Sequence, residues 1–117
     1  QIDALKTLAL NSTVFIAYFD ADRLADYFEM AQILRQAGIA VELYPEPKKL
    51  GQQLKYADMR KFPLAIIAGS DELSRGACQI KDLRHKTTSE VLWRDNRDQL
   101  VASVRALLKL PSGPLLA

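Results

Sequence analysis

Pro63 to Leu83 reads "PLAIIAGSDELSRGACQIKDL", and this stretch decides the fold. "PLAIIAG" (Pro63 to Gly69) is apolar at every position that could face either side of a sheet. A strand of that kind is covered on both faces and lies in the middle of its sheet. "SDELSRG" is too short to hold a full crossover helix, and "ACQIKDL" after it has strand character again. A short connection joins antiparallel neighbours, because a parallel crossover needs a dozen residues or more. An all-parallel doubly wound fold is therefore excluded.

The pattern before this stretch differs. "TVFIAYF" (Thr13 to Phe19) is a buried strand, and "DADRLADYFEMAQILRQAG" is a helix that Asp20 or Asp22 can cap and Gly38 can stop. At 100° per residue Met30, Leu34, Tyr27, Ala31, Leu24 and Phe28 share an arc and are expected to face the core. "IAVELY" (Ile39 to Tyr44) is a second strand. Pro45 and Pro47 then break the chain before a basic helix from Lys48 to about Arg60. The order β-α-β-α-β implies parallel strands with right-handed crossovers. After the central strand, "ACQIKDL" and "TSEVLWR" flank "RHKT" as a hairpin, and Asp95 to Lys109 forms the last helix with a stripe of Leu100, Val101, Val104, Leu107 and Leu108. The fold class is α/β, a five-stranded mixed sheet flanked by three main helices.

A chain of 117 residues suits one domain, and 49% hydrophobic with 26% charged residues is an ordinary globular balance. The domain is expected over residues 13–110, with 1–12 a linker or short helix from a preceding region and 111–117 a flexible tail. The chain starts with Gln1 rather than Met, as expected of a piece of something longer. Asp3 and Lys6 interrupt the first residues, so a signal peptide is not expected, and the longest apolar run, Leu64 to Ala68, is too short for a bilayer. The single cysteine, Cys78, leaves no internal disulfide or thiolate cluster and reads as a small buried hydrophobe. An intracellular compartment, the cytoplasm, is expected.

Net charge is +2, but the distribution is uneven. Lys48, Lys49, Lys55, Arg60 and Lys61 against Asp58 give the second helix +4 and leave −2 for the rest. Leu50, Leu54, Ala57 and the stem of Lys61 form the arc that should face the sheet; Lys48, Gln52, Lys55 and Met59 lie opposite, with Lys49, Tyr56 and Arg60 beside them. Lysines can meet phosphates, a tyrosine ring can stack on an unpaired base, and amides can bond base edges. Exposed lysines are common, so composition alone favours a merely solvated face. Glu72 beyond the central strand and Lys81 on the fourth could bracket a guanine, the carboxylate taking N1–H and N2–H and the ammonium giving to O6. A surface ion pair is the more frequent use of such a pair. His85 sits at a hairpin tip, no metal-ligand spacing is present, and neither phosphate-loop motif occurs. Nothing supports catalysis by this chain alone. Acids at strand ends, "FDAD" and Asp71, also suit a phospho-accepting receiver domain, but hairpins replace the further crossover that fold requires.

"LRQAGIAVEL", "KKLGQQLKYAD" and "PLAIIAGSDELSRGACQIKDL" together resemble the C-terminal anticodon-binding domain of histidyl-tRNA synthetase, a class II enzyme, over roughly Thr13 to Leu108. The "KLxxQxKYAD" part is specific, and the "GxDExxxG…KDL" part is shared more loosely with prolyl and threonyl relatives. The resemblance implies the same mixed sheet and reverses the balance in favour of a tRNA-binding face. It implies anticodon base contacts by Glu72 and Lys81, with Gln79 on the same strand face, and tRNA backbone or loop contacts by Lys48, Lys49, Gln52, Lys55 and Tyr56. It implies no catalytic residue, metal or cofactor for this chain. The parent enzyme it implies is a homodimer that charges tRNA-His using ATP and magnesium. The alternative is a synthetase-like domain reused for regulation or interaction without aminoacylation.

Overall fold

A computed structural model describes residues 13–109. The expectations for residues 1–12 and for the tail from 111 lie outside the described residues. The chain runs β1 (Val14–Ile16), a 3-10 turn (Ala21–Arg23), α1 (Leu24–Gln36), β2 (Val41–Leu43), α2 (Leu50–Met59), β3 (Leu64–Ile67), α3 (Ser70–Ser74), β4 (Ala77–Asp82), β5 (Thr87–Leu92) and α4 (Arg97–Leu108). The sheet order is β2-β1-β3-β4-β5. The first three of these are parallel, and β4 and β5 are antiparallel to their neighbours. The mixed sheet read from Pro63 to Leu83 is thus observed, with α3 added as a short helix between β3 and β4.

Period-2 alternation splits the strand side chains between two faces. Val14, Ile16, Leu64, Ile66 and Ile80 face α1 and α4 and join Tyr27, Met30, Leu34, Trp93, Leu100 and Val104 in the larger core. Phe15, Ala17 and Ala65 face the other way and pack with Ala57 and Phe62 in a smaller core under α2. Register puts Gln79 opposite Ile67 and Lys81 opposite Ala65, so both β4 side chains share the α2 side. There they continue the sheet surface beyond the helix, together with Thr88 and Glu90 of β5.

Three expectations about packing need correction. Phe28 does not face the core; it is 54% exposed. Its flank of α1 stands over the sheet's edge beside Val41 and Leu43 of β2, while the opposite flank, carrying buried Ile33, is covered as α1 meets α4. Lys61 leaves α2 in the left-handed region (φ 62°) and stays exposed, and Phe62 fills the core in its place. Asp20 caps the 3-10 turn, accepting from Asp22 N–H at 3.1 Å, rather than α1 itself. The stop at Gly38 (φ +82°) is as expected: Gly38 N–H donates to Arg35 C=O and Ile39 N–H to Leu34 C=O.

The reversal between β3 and β4 needs Gly76. Its φ is +70°, a Cβ there would come within 2.9 Å of Arg94 Cβ, and its carbonyl accepts from Trp93 N–H at 2.8 Å. Tyr27 fixes the end of β3 from below, its hydroxyl donating to Ala68 C=O at 2.8 Å. Burial pushes that phenol up to about 12.

Candidate nucleic-acid interface

The carboxyl ends of β1 and β3 and the first turn of α2 meet at one rim. The join is made by Gln53, which is fully buried. Its Oε1 accepts from Tyr18 N–H at 2.7 Å, and its Nε2 donates to Tyr18 C=O at 2.5 Å and Lys48 C=O at 2.9 Å. Lys48 N–H also donates to Tyr18 C=O. The amide therefore fixes where α2 begins, and with it Lys48 and Lys49. Sequence reasoning missed this residue, although 50, 53, 54 and 57 form one helical stripe and the amide is the Q of "KLxxQxKYAD".

Lys48, Lys49, Gln52 and Lys55 are all exposed, as the helical arc required. Phe19, Pro47, Lys48, Lys49, Leu50 and Gln52 line a shallow groove at the rim. Phe19 was also missed; it reads only as the last residue of a strand run, and nothing local says its ring stops half-buried at the groove. Tyr56 lies on a different flank from the one expected. Its ring centroid is 5.8 Å from Phe15 and 5.4 Å from Tyr44, and its hydroxyl donates to Glu42 Oε2 at 2.5 Å. The Glu42 bond, with burial adding to it, raises its pKa. Arg60 donates to the same hydroxyl at 2.7 Å. The ring is thus packed into the smaller core rather than presented as an open platform.

Glu72 sits on α3 with Oε1 accepting from Gly69 N–H at 2.7 Å. The carboxylate stays at the end of β3 for a local reason, a Glu three residues inside a helix start bonding back to the preceding amide. Phe19 stands on the other side of Gly69: a Cβ built on that glycine would lie 3.1 Å from Glu72 Oε1 and 3.7 Å from the Phe19 ring. Gln79, opposite Ile67, is the β4 side chain nearer this end. Lys81, opposite Ala65, lies roughly 13 Å along the strand direction from Gly69 at about 3.3 Å per residue. The structure brings Glu72 and Gln79 to one end. It places Lys81 instead in a groove of about 460 Å³ lined by Leu54, Lys55, Asp58, Leu83, Lys86 and Thr88.

Charge is divided by residue type. Every arginine from Arg23 to Arg105 holds a partner within the fold: Arg94 bonds Asp26 and Leu73 C=O, Arg97 bonds Glu29, and Arg105 bonds Ala37 C=O. Among the described residues no lysine makes an ion pair or side-chain hydrogen bond. Six of the seven described lysines, Lys48, Lys49, Lys55, Lys61, Lys81 and Lys86, belong to α2 or to strands and loops on its side, so most of the unpaired positive charge is collected there; Lys109 ends α4.

The remaining candidates are structural. Cys78 is buried and free, and burial pushes its thiol up to about 12. His85 is exposed at the hairpin but not idle; its Nδ1 lies 2.9 Å from Asp82 Oδ2. Burial pushes the Asp82 carboxyl up, but bonds from the His85 ring and the His85 and Arg84 N–H groups outweigh it and hold it below the usual carboxylate range. No His/Cys/Asp/Glu cluster among the described residues could hold a metal ion, and no described helix is long and apolar enough to cross a membrane.

The described residues thus form a mixed sheet with a basic helix beside a strand-end carboxylate. Residues 13–107 match the family described as anticodon binding domain, and the chain belongs to that family. It is similar to histidine–tRNA ligases: 49% identical over 107 residues to that of Rhodopirellula baltica, covering 91% of this chain and 24% of the relative, and 46% identical over 110 residues to that of Bradyrhizobium diazoefficiens, covering 81% and 22%. The solved histidyl-tRNA synthetase of Nostoc sp. PCC 7120 superposes with a TM-score of 0.71 at 26% identity, over 80% of this chain and 23% of that one. The chain spans about a quarter of the length of these relatives.

Proposed function

We propose that this chain is the anticodon-binding portion of a histidine–tRNA ligase and that its ligand is tRNA-His. The observation that carries the reading is the concentration of unpaired lysines on the α2 side of the sheet, in a chain 49% identical to a histidine–tRNA ligase over 107 residues. The parent protein, a cytoplasmic homodimer, activates histidine with ATP and magnesium on residues this chain lacks. This chain supplies tRNA affinity and selectivity.

Lys48, Lys49 and Lys55 meet phosphates, Gln52 bonds the loop, and the half-buried Phe19 ring offers a face to a base. Tyr56 supports this surface from within by bracing Glu42 and Arg60. Glu72 and Gln79 read base edges, while Lys81 lies farther along β4 in the groove it shares with Lys55 and Lys86. A carboxylate on an RNA-binding surface repels phosphate unless base donors satisfy it. Guanine offers N1–H and N2–H, and the histidine anticodon GUG carries two guanines.

Glu72→Gln tests the assignment cleanly because the carboxamide oxygen still accepts from Gly69 N–H, so α3 keeps its cap. Losing the charged acceptor is expected to cost about 1 to 3 kcal/mol of binding to the GUG anticodon. Against a tRNA whose contacted guanine is replaced by adenine the cost should largely vanish. A double-mutant cycle measures this. Additive losses at both guanines would reduce Glu72 to a helix cap.

A further inference from the structure

A groove runs between α2 and the β4–β5 hairpin. Lys55 enters it from α2, Lys81 from β4 and Lys86 from the hairpin tip, with Asp58 the one acid among its lining residues. None of the three lysines has an ion-pair or hydrogen-bond partner, although arginines elsewhere have taken theirs. Like charges held around one cavity repel and lower the stability of the fold. Among the described residues lining the groove, only the Asp58 carboxylate relieves that repulsion. An anion seated in the groove would add to that relief.

Lys86 is held where it is by its backbone. Its N–H donates to Asp82 C=O at 2.7 Å, and the Asp82 carboxylate accepts from Arg84 N–H at 3.0 Å and His85 N–H at 3.1 Å. Its φ of 57° lies in the left-handed region, which glycine or asparagine occupies at less cost. Lys61 and Lys109 share that conformation at helix ends, so the angle alone does not single out Lys86. Its company does. The groove, at about 460 Å³, falls in the size range of small-ligand sites, about 300 to 1,000 Å³. It lies on the same side of the sheet as the Glu72 rim, farther down α2 and β4.

We infer that this groove seats a phosphodiester of the bound RNA outside the bases that Glu72 and Gln79 read, and that Lys86 is a further phosphate-contacting residue. This rests on the tRNA-binding reading above and extends it: the strand enters at Lys48 and Lys49 and its backbone continues along α2 to the hairpin. Free phosphate shares the chemistry but lacks the second anchor at the rim.

The test uses the 117-residue chain and Lys86→Asn, which accepts a positive φ and leaves the fold intact, as an unchanged melting temperature would confirm. Affinity for tRNA-His is measured over a salt series. The expected result is a loss of about 3- to 10-fold near 0.1 M salt, with the log–log slope smaller by roughly 0.7, the value for one single-strand phosphate contact. Lys86→Arg should restore the slope, and inorganic phosphate at millimolar concentration should compete weakly. A chain that binds tRNA with the same slope after Lys86→Asn overturns this inference alone. A chain that binds no tRNA overturns the tRNA reading and this inference with it. Equal dependence on Lys86 for binding poly-glutamate would overturn the assignment to RNA, since an acidic peptide would then fill the groove as well.

Discussion

Gln53→Leu should destabilise the domain by about 3 to 5 kcal/mol. Leucine fills nearly the same space, so little packing is lost. The buried Tyr18 N–H and C=O and the Lys48 C=O each lose a partner, however, and none gains another within reach of an apolar side chain. Unsatisfied buried groups cost about 1 to 3 kcal/mol each, with some relief from the Lys48 N–H bond to Tyr18 C=O. For a domain of this size each 1 kcal/mol moves the melting temperature by roughly 4 to 8 °C. Denaturant unfolding of the variant beside the parent chain checks it. Gln53→Glu should be worse, because it places a carboxylate against two carbonyl oxygens. A loss below 1 kcal/mol for Gln53→Leu would mean that the start of α2 is held by other contacts.

The second large effect is electrostatic. The side chains of Lys48, Lys49 and Lys55 have no ion-pair or hydrogen-bond partner in the fold, so replacing all three by alanine, which keeps their backbone bonds, should leave stability almost unchanged. Binding should respond strongly. If each lysine neutralises one phosphate of a single-stranded loop, the salt slope should fall by roughly 2, at about 0.7 per contact, and by a similar amount for every tRNA tested. An unchanged slope would return the helix to the status of a solvated face. Arg60 serves as the contrasting control. It is engaged with Tyr56 and Glu42, so Arg60→Ala should disturb packing more than the salt slope.

These two expectations mark the limits of what the sequence discloses. The turn in strand direction is legible at Pro63 to Leu83, because the length of "SDELSRG" excludes a crossover by geometry alone. The placing of basic residues on α2 is legible because helical periodicity is local. Gln53 is not, since a glutamine in an amphipathic pattern counts as polar until its three backbone partners, two of them 35 residues away, are in view. Phe28 is misread because periodicity cannot say that the sheet stops at β2. Tyr56 is misread for the complementary reason, its ring being drawn in by Phe15 of β1 and by Tyr44 just beyond β2. The cap made by Glu72 was within reach, being a helix start at Gly69 followed by an acid three residues on. The division between paired arginines and unpaired lysines was out of reach, because Arg94–Asp26 and Arg97–Glu29 each join residues 68 apart.

The central claim, that this surface reads an anticodon, is tested most directly by the unmodified chain against two RNAs. One is tRNA-His with its GUG anticodon; the other is the same tRNA with both anticodon guanines changed to adenine. Binding of each is measured at two salt concentrations. Phosphate contacts are common to both RNAs and fade together as salt rises, while base contacts differ and persist. The account predicts weaker binding of the altered tRNA, by about 1 to 3 kcal/mol for each guanine read, with that difference kept at the higher salt. Equal affinities at both salt concentrations would contradict it, leaving a surface that binds RNA by charge alone.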